Sequence, residues 1–282
     1  MSAHPTPILF LHGSWHGAWC WTEVIAHLVR YGRPTLAVDM AGHGLRARRP
    51  ECLTVRPFDP EELATEVSPV ADVDLDQAAE LLISQIRMLG RGGRVTVVAH
   101  SMGGVVLTRA AQQVPELVAH AVYLAAIMPA SDRAADRYFA LPENADALVL
   151  PALRGDPAVT GALRLDLASN DPAYRRQLRA AFYGDVAPVV ADAALALLTP
   201  DAPASMMGDT TRLTRDGWGS VPRTYVVCTR DMAIRPALQR VLVAEADAAF
   251  PENPTTVVTL DSSHAPFLSR PEDLAAIVGR LG

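Results

Sequence analysis

Lysine is absent from the 282-residue sequence, so all 25 of its basic residues are arginine. The 31 acidic residues outnumber them and give a formal net charge of −6. A chain with this balance offers no broad basic surface to attract phosphates, and a nucleic-acid partner is therefore not expected. The absence of lysine also excludes any mechanism that needs an amine side chain.

Cysteine is scarce as well, since only Cys20, Cys52 and Cys228 are present. Three irregularly spaced cysteines suit neither a disulfide framework nor a zinc site, which favours reduced thiols and a cytoplasmic location. No apolar run approaches the roughly 18 residues of a membrane span, and residues 1–7 lack a signal-peptide pattern. The histidines do not pair with other ligand residues at metal-binding spacing. We expect no metal, no cofactor and no membrane association.

Half of the residues are hydrophobic, and they fall into alternating strand-like and helix-like segments. Six short apolar runs are typical of strands buried on both faces, at 7–11, 34–39, 95–100, 119–125, 222–228 and 255–260. Helical periodicity separates them, most clearly at 75–90, where apolar residues recur at i, i+3 and i+4. This alternation predicts an α/β fold with a mostly parallel six-stranded sheet and helices on both faces.

The composition changes between the fourth and fifth of these strands. Residues 129–220 are rich in alanine, leucine, aspartate and proline, and they carry no strong strand signal. We interpret this segment as a helical cap inserted into the core and covering the active site. The predicted organisation is therefore a core at 1–128, a cap at 129–220 and a second part of the core at 221–282.

A serine stands between a strand and a helix at 95–114. A β-branched run leads into Ala99-His100-Ser101-Met102-Gly103, and a helical pattern follows. This is the strand–turn–helix context of a nucleophile elbow, with Ala99 in place of the commoner glycine. Small residues are needed beside the serine because its backbone is strained and closely packed. We predict Ser101 as a nucleophile.

An acid and a histidine follow Ser101 in the chain order that this fold requires. A serine hydroxyl needs a base within hydrogen-bond reach and a group that orients the base. Asp231 follows the fifth predicted strand and His264 the sixth, so both belong to the same edge of the sheet as Ser101. Asp261 is the alternative acid. The predicted catalytic residues are Ser101, His264 and Asp231.

The loop after the first strand is the expected source of a second oxyanion donor. We assign the backbone N–H groups of Ser14 and Met102 to the oxyanion hole. The neighbouring His16, Trp19 and Trp21 are interpreted as packing residues, and His43 as a loop residue. A substrate pocket is expected from the cap together with apolar side chains near the serine, namely Trp15, Ile127, Met128, Phe182, Tyr183 and Phe267.

Three motifs together resemble one branch of the α/β-hydrolases. They are His-Gly-Ser-Trp-His-Gly-Ala-Trp-Cys-Trp at 12–21, Ala-His-Ser-Met-Gly-Gly at 99–104 and Cys-Thr-Arg-Asp at 228–231. The branch contains plant methylesterases, hydroxynitrile lyases and related bacterial esterases. The resemblance covers residues 7–128 and 221–282, and it implies cofactor-free hydrolysis of small carboxylic esters, often by a homodimer.

Several other functions remain open within this scheme. The same acyl-enzyme chemistry serves lactonases, thioesterases and cyclases of secondary metabolism, in which only the attacking group differs. The similar lyases have a lysine after the catalytic histidine and a threonine after the first strand, where this chain has Ala265 and Gly13. A lyase of that type is therefore disfavoured. A ligand receptor on the same fold is a further alternative, although such receptors often lose part of the triad.

Overall fold

The computed structural model describes residues 5–281, in which eight strands are present. They are β1 Ile8–Leu11, β2 Thr35–Val38, β3 Val95–His100, β4 Val118–Leu124, β5 Ala162–Arg164, β6 Asp201–Pro203, β7 Arg223–Cys228 and β8 Thr256–Leu260. Six of them form one sheet in the order β2-β1-β3-β4-β7-β8, with every neighbouring pair parallel. The remaining two, β5 and β6, pair with each other antiparallel.

The same residues contain twelve α-helices. They are α1 Thr22–Leu28, α2 Pro60–Thr65, α3 Leu75–Gly90, α4 Gly103–Gln113, α5 Asp136–Phe139, α6 Pro157–Thr160, α7 Pro172–Tyr183, α8 Pro188–Ala196, α9 Ser205–Gly208, α10 Pro236–Ala249, α11 Pro266–Ser269 and α12 Pro271–Val278. Helices cover both faces of the large sheet, where α3 packs on α4 and α1 packs on α12. No helix within 5–281 has the length and apolar character needed to cross a membrane.

Aspartate followed by proline starts three of these helices. Asp59, Asp156 and Asp171 each accept a hydrogen bond from the backbone N–H of the second residue of α2, α6 and α7, respectively. An aspartate side chain satisfies one of the free N–H groups at a helix start, and proline fits the first position because its missing N–H is not needed there. Asp74 caps α3 in the same way through the N–H of Gln77.

The strands at the centre of the sheet are buried, and the loops at their carboxyl ends carry the predicted site residues. Every residue of β1, β3 and β7 is buried, whereas β2 and β8 form the partly exposed edges of the sheet. The carboxyl ends of parallel strands meet at one edge, so the loops after β1, β3, β7 and β8 converge there. Those loops carry Ser14, Ser101, Asp231 and His264.

The predicted fold class is confirmed, including six strands in a parallel sheet and helices on both sides. Residues 129–220 carry no strong strand signal in the sequence, but two short strands, β5 and β6, lie in this segment. Hydropathy does not reveal them because each strand has only three residues and because each contains a charged residue. Arg164 and Asp201 are both fully buried and form two hydrogen bonds of 2.7 and 2.8 Å. The division into core, cap and core stays a prediction.

Candidate active site

The backbone at Ser101 has the strained geometry of a tight strand-to-helix turn. Its φ angle is +54°, a left-handed value that non-glycine residues rarely adopt. A Cβ atom at Gly103 would lie 2.5 Å from the carbonyl oxygen of His12, and one at Gly104 would lie 2.3 Å from that of Ile127. Glycine is therefore required at both positions, because the elbow is pressed against the neighbouring loops. The turn projects Ser101 into a cavity.

A short hydrogen bond joins His264 to Asp231. Nδ1 of His264 lies 2.8 Å from Oδ2 of Asp231, and both side chains are buried. The other carboxylate oxygen, Oδ1, accepts from the N–H groups of Ala233 and Ile234 at 2.7 and 3.0 Å. The Asp231 carboxylate is thus held by the turn that follows β7. The alternative acid, Asp261, is exposed and pairs instead with Arg230 at 2.9 Å.

Ser101 and His264 line the same cavity, so the structure brings the predicted nucleophile and base to one place. Within residues 5–281, the hydroxyl of Ser101 makes no hydrogen bond to His264 or to another protein group. Contacts of this kind often tighten only when a substrate is bound. The arrangement therefore provides a nucleophile, a base and an oriented acid around one opening.

The two amides assigned to an oxyanion hole stand next to Ser101. Met102 is the N-cap of α4, a position whose N–H has no partner inside the helix. Neither this N–H nor that of Ser14 has a hydrogen-bond acceptor within the described part of the chain. Their side chains touch, because the Ser14 hydroxyl lies 3.3 Å from the Met102 sulfur. Two free donors beside a nucleophile can stabilise a negative oxygen there.

The cavity has a volume of about 220 Å³ and a mainly apolar wall. It is lined by Ser14, Trp15, Ser101, Met102, Asp136, Phe139, Ala140, Val149, Leu150, Leu153, Leu163, Phe182, Met207, Ala233, Ile234 and His264. Most of these residues belong to 129–220. Asp136 is the one acidic side chain among them, and no arginine lines the wall.

Two of the predicted pocket residues, Trp15 and Phe182, lie in this wall with their rings 5.6 Å apart. Ile127, Met128 and Phe267 do not, and their assignment to the pocket is corrected. All three are fully buried behind the site. The N–H of Ile127 supports the elbow by donating to the carbonyl of Ser101 at 3.0 Å, while Phe267 packs edge-on against His100. Tyr183 also lies outside the wall, where its hydroxyl meets His16.

With this geometry established, comparison with known proteins identifies the family. The model of the alpha/beta hydrolase family matches residues 8–277, which is nearly the whole chain. The chain belongs to the alpha/beta hydrolase family.

Its curated relatives agree with the branch that the motifs indicated. The chain is 27% identical to methyl jasmonate esterase 1 of Vitis vinifera over 95% of its own length and 93% of the relative's. It is 29% identical to methylesterase 7 of Arabidopsis thaliana, over 96% and 94% of the two chains. The resemblance to methylesterases is thus confirmed, and these matches support the expectation of an ester-cleaving hydrolase.

Solved structures show the same fold at lower identity. A pyrethroid hydrolase from Sphingobium faniae superposes with a TM-score of 0.73 at 22% identity, covering 97% of this chain and 95% of the other. A methylesterase from Arabidopsis superposes with a TM-score of 0.68 at 23% identity, covering 98% of both chains.

Buried histidines surround the site of this alpha/beta hydrolase. Burial lowers the pKa of His16 to about 3 and that of His43 to about 4. Burial also lowers the pKa of His12 and of His100 well below the usual range. These four rings are therefore neutral near pH 7. No group of three or more histidine, cysteine or acidic side chains in the described residues is placed to hold a metal ion.

One residue of the site was missed in the sequence. The fully buried Gln239 donates through Nε2 to Oδ2 of Asp231 at 3.1 Å and to the carbonyl of Ile234 at 2.7 Å. Its Oε1 accepts from the N–H of Cys228 at 3.0 Å, so it ties the acid to β7. The available signal was weak, namely a polar residue next to the buried Leu238 on α10.

Proposed function

We propose that the protein is a serine esterase that cleaves carboxylic esters of small, largely apolar substrates through an acyl-enzyme. The observation that carries the proposal is the convergence of Ser101, an Asp231-bound His264 and two free backbone N–H groups on one apolar cavity. This set of groups matches the needs of acyl transfer, which are a nucleophile, a general base and oxyanion donors.

The proposed reaction begins when the Ser101 hydroxyl attacks the ester carbonyl. His264 accepts the hydroxyl proton at Nε2 and returns it to the departing alcohol, while Asp231 fixes the ring with its proton on Nδ1. The N–H groups of Ser14 and Met102 bind the oxyanion of the tetrahedral intermediate. Water then attacks the acyl-enzyme with His264 again as the base, which releases the acid and restores Ser101.

The wall of the cavity suggests the substrate class. Apart from the groups assigned to catalysis, it presents aromatic, aliphatic and methionine side chains and the single carboxylate of Asp136. A volume of about 220 Å³ lies below the roughly 300–1,000 Å³ that is typical of small-molecule pockets, which favours a compact substrate. A wall without arginine gives no partner for a second carboxylate on the substrate. A neutral, compact ester fits these properties.

The position of Gly13 argues against a hydroxynitrile lyase. A Cβ atom there would lie 2.4 Å from Cβ of Ser101, so the threonine that similar lyases carry cannot be placed without moving the elbow. The residue after His264 is the fully buried Ala265, and the chain has no lysine to receive a cyanide leaving group.

The test is hydrolysis of p-nitrophenyl esters with acyl chains of two to twelve carbons by the wild type and by Ser101→Ala. We expect turnover by the wild type and a loss of at least about 10³-fold in the folded variant, since removing a triad member has large effects. Rates in Ser101→Ala equal to the wild type would disprove the proposal.

A fluorophosphonate probe extends this test to substrates outside the panel. If the wild type cleaves no ester but is labelled at Ser101, the nucleophile is active and lactones and thioesters become the next substrates to assay. If it is neither active nor labelled, and a ligand raises its melting temperature without being turned over, the receptor function is supported instead.

A further inference from the structure

The backbone of His264 is held by a side chain on each side of its Cα atom. In the peptide group that joins Ser263 to His264, the carbonyl accepts from the hydroxyl of Ser262 at 3.0 Å. In the peptide group that joins His264 to Ala265, the carbonyl accepts from Nε2 of His100 at 2.8 Å. Because each peptide group is planar, these two bonds restrain both backbone neighbours of the Cα atom and therefore the direction of its bond to Cβ.

The ring of His100 carries its proton on Nε2. A carbonyl oxygen can only accept, so the ring nitrogen that faces His264 must be the donor. Burial holds the pKa of His100 well below its usual range, and Nδ1 of the neutral ring is therefore an acceptor. It has no hydrogen-bond partner within residues 5–281. An unpaired buried acceptor is unfavourable, so packing alone does not favour a histidine at this position.

The same ring also packs against the imidazole of His264. The two ring centroids are 4.4 Å apart, and the ring of Phe267 lies 5.0 Å from that of His100 in an edge-on contact. All three side chains are buried. His100 is the last residue of β3 and directly precedes Ser101. Its hydrogen bond therefore joins the strand of the proposed nucleophile to the loop of the proposed base.

We propose that His100 is a positioning residue that holds the backbone of His264, so that Nε2 of the base stays within reach of the Ser101 hydroxyl. This inference rests on the proposed esterase function. Asp231 orients the imidazole ring through Nδ1, whereas His100 restrains the backbone from which that ring projects. Proton transfer needs both, because a displacement of about 1 Å can lower a rate about 100-fold. His100 does not line the cavity, so it acts without touching the substrate.

The test compares His100→Leu with His43→Leu, a matched control outside the site. His43 is also fully buried, its Nδ1 contacts the carbonyl of Ala41 at 2.9 Å, and its Nε2 has no partner in the described chain. Leucine thus removes one bond to a carbonyl and one unpaired nitrogen from each position. We measure kcat and KM for p-nitrophenyl acetate and the rate of fluorophosphonate labelling of Ser101.

We expect His100→Leu to lower kcat and the labelling rate about tenfold with KM within about twofold, because the base is displaced and the pocket is not. His43→Leu should keep all three within about twofold. Equal rates in the two variants, with a wild type that is labelled, overturn the positioning role alone. A wild type that is neither active nor labelled overturns the esterase proposal and this one with it.

A second pair of variants decides the question if His100→Leu does not fold. In His100→Gln the side-chain amide can place an N–H donor near the position of Nε2, whereas in His100→Asn the shorter side chain places it near that of Nδ1. We expect glutamine to keep the labelling rate within about threefold of the wild type and asparagine to lower it about tenfold. Equal labelling rates in these two variants also overturn the positioning role.

Discussion

The two walls of the cavity are built in different ways. The wall formed by the sheet carries Ser101 and His264 at strand ends. Asp231 lies buried against His264, and hydrogen bonds from the turn after β7 and from Gln239 fix its carboxylate. The wall from 129–220 presents mainly apolar side chains, and its rim residues Asp136 and Leu150 are exposed. All eight histidines of the chain lie outside 129–220.

This difference reflects the two tasks of the cavity, because the reacting groups need a fixed geometry and the substrate pocket does not. Acyl transfer depends on atoms held in fixed geometry, and the carboxyl ends of parallel strands are rigid supports for them. Selection of an apolar substrate depends on volume and shape, which short helices can vary without disturbing the strands. The comparison therefore predicts that changes in the first wall alter kcat, while changes in the second alter the choice of substrate.

The largest expected effect tests the first wall at Asp231. In Asp231→Asn, the oxygen stays with the N–H groups of Ala233 and Ile234, and the new NH₂ group faces His264 and the amide of Gln239. The donor opposite His264 imposes the wrong tautomer on the ring. We expect kcat to fall about 10³- to 10⁴-fold with little change in KM. Steady-state kinetics on the ester that the wild type prefers measures both.

Asp261→Asn is the matched control, because it makes the same change in the exposed carboxylate that was the alternative acid. Its partners are Arg230 and Thr229, so we expect kcat within about twofold of the wild type. A loss in Asp261→Asn that equals the loss in Asp231→Asn would show that the acid is assigned to the wrong residue.

A smaller effect concerns acid stability, which the buried His43 should limit. Burial lowers the pKa of His43 from 6.5 to about 4, so the unfolded chain binds a proton in this range that the folded chain does not. Stability is therefore intact above pH 6.5 and falls as the pH decreases towards 4. For His43 alone the loss is about 3 kcal/mol, at about 1.4 kcal/mol per pH unit.

The measurement is the free energy of unfolding by urea between pH 7.5 and 4 in the wild type and in His43→Gln. Glutamine does not titrate and can still donate to the carbonyl of Ala41, which Nδ1 of His43 contacts at 2.9 Å. We expect a shallower pH dependence in the variant. Parallel curves for the two proteins would show that His43 does not resist protonation in the fold.

The same contrast between the walls explains how much the sequence could predict. Ser101, Asp231 and His264 follow strands in a required order, so local patterns place them at one edge of the sheet. Ile127, Met128 and Phe267 were misassigned because hydropathy does not tell a cavity wall from the layer behind it. Gln239 and the contact of Tyr183 with His16 depend on residues that are distant in sequence. A homodimer and a cytoplasmic location stay predictions.

The smallest expected effect tests the second wall at Phe182, which faces the cavity beside Trp15. Phe182→Leu removes ring atoms and enlarges the space for the acyl group. Each methylene added to the acyl chain of the substrate can then gain about 0.8 kcal/mol of binding free energy from burial. We expect the optimum of kcat/KM to move towards longer acyl chains, with a gain of up to about tenfold for them.

Phe267→Leu makes the same change in a fully buried ring behind the site. It should lower the melting temperature and leave the order of preference among acyl chains unchanged, since its ring packs on His100 and not on the substrate. If both variants shifted the chain-length profile alike, the hypothesis that the wall from 129–220 determines the choice of substrate would be wrong.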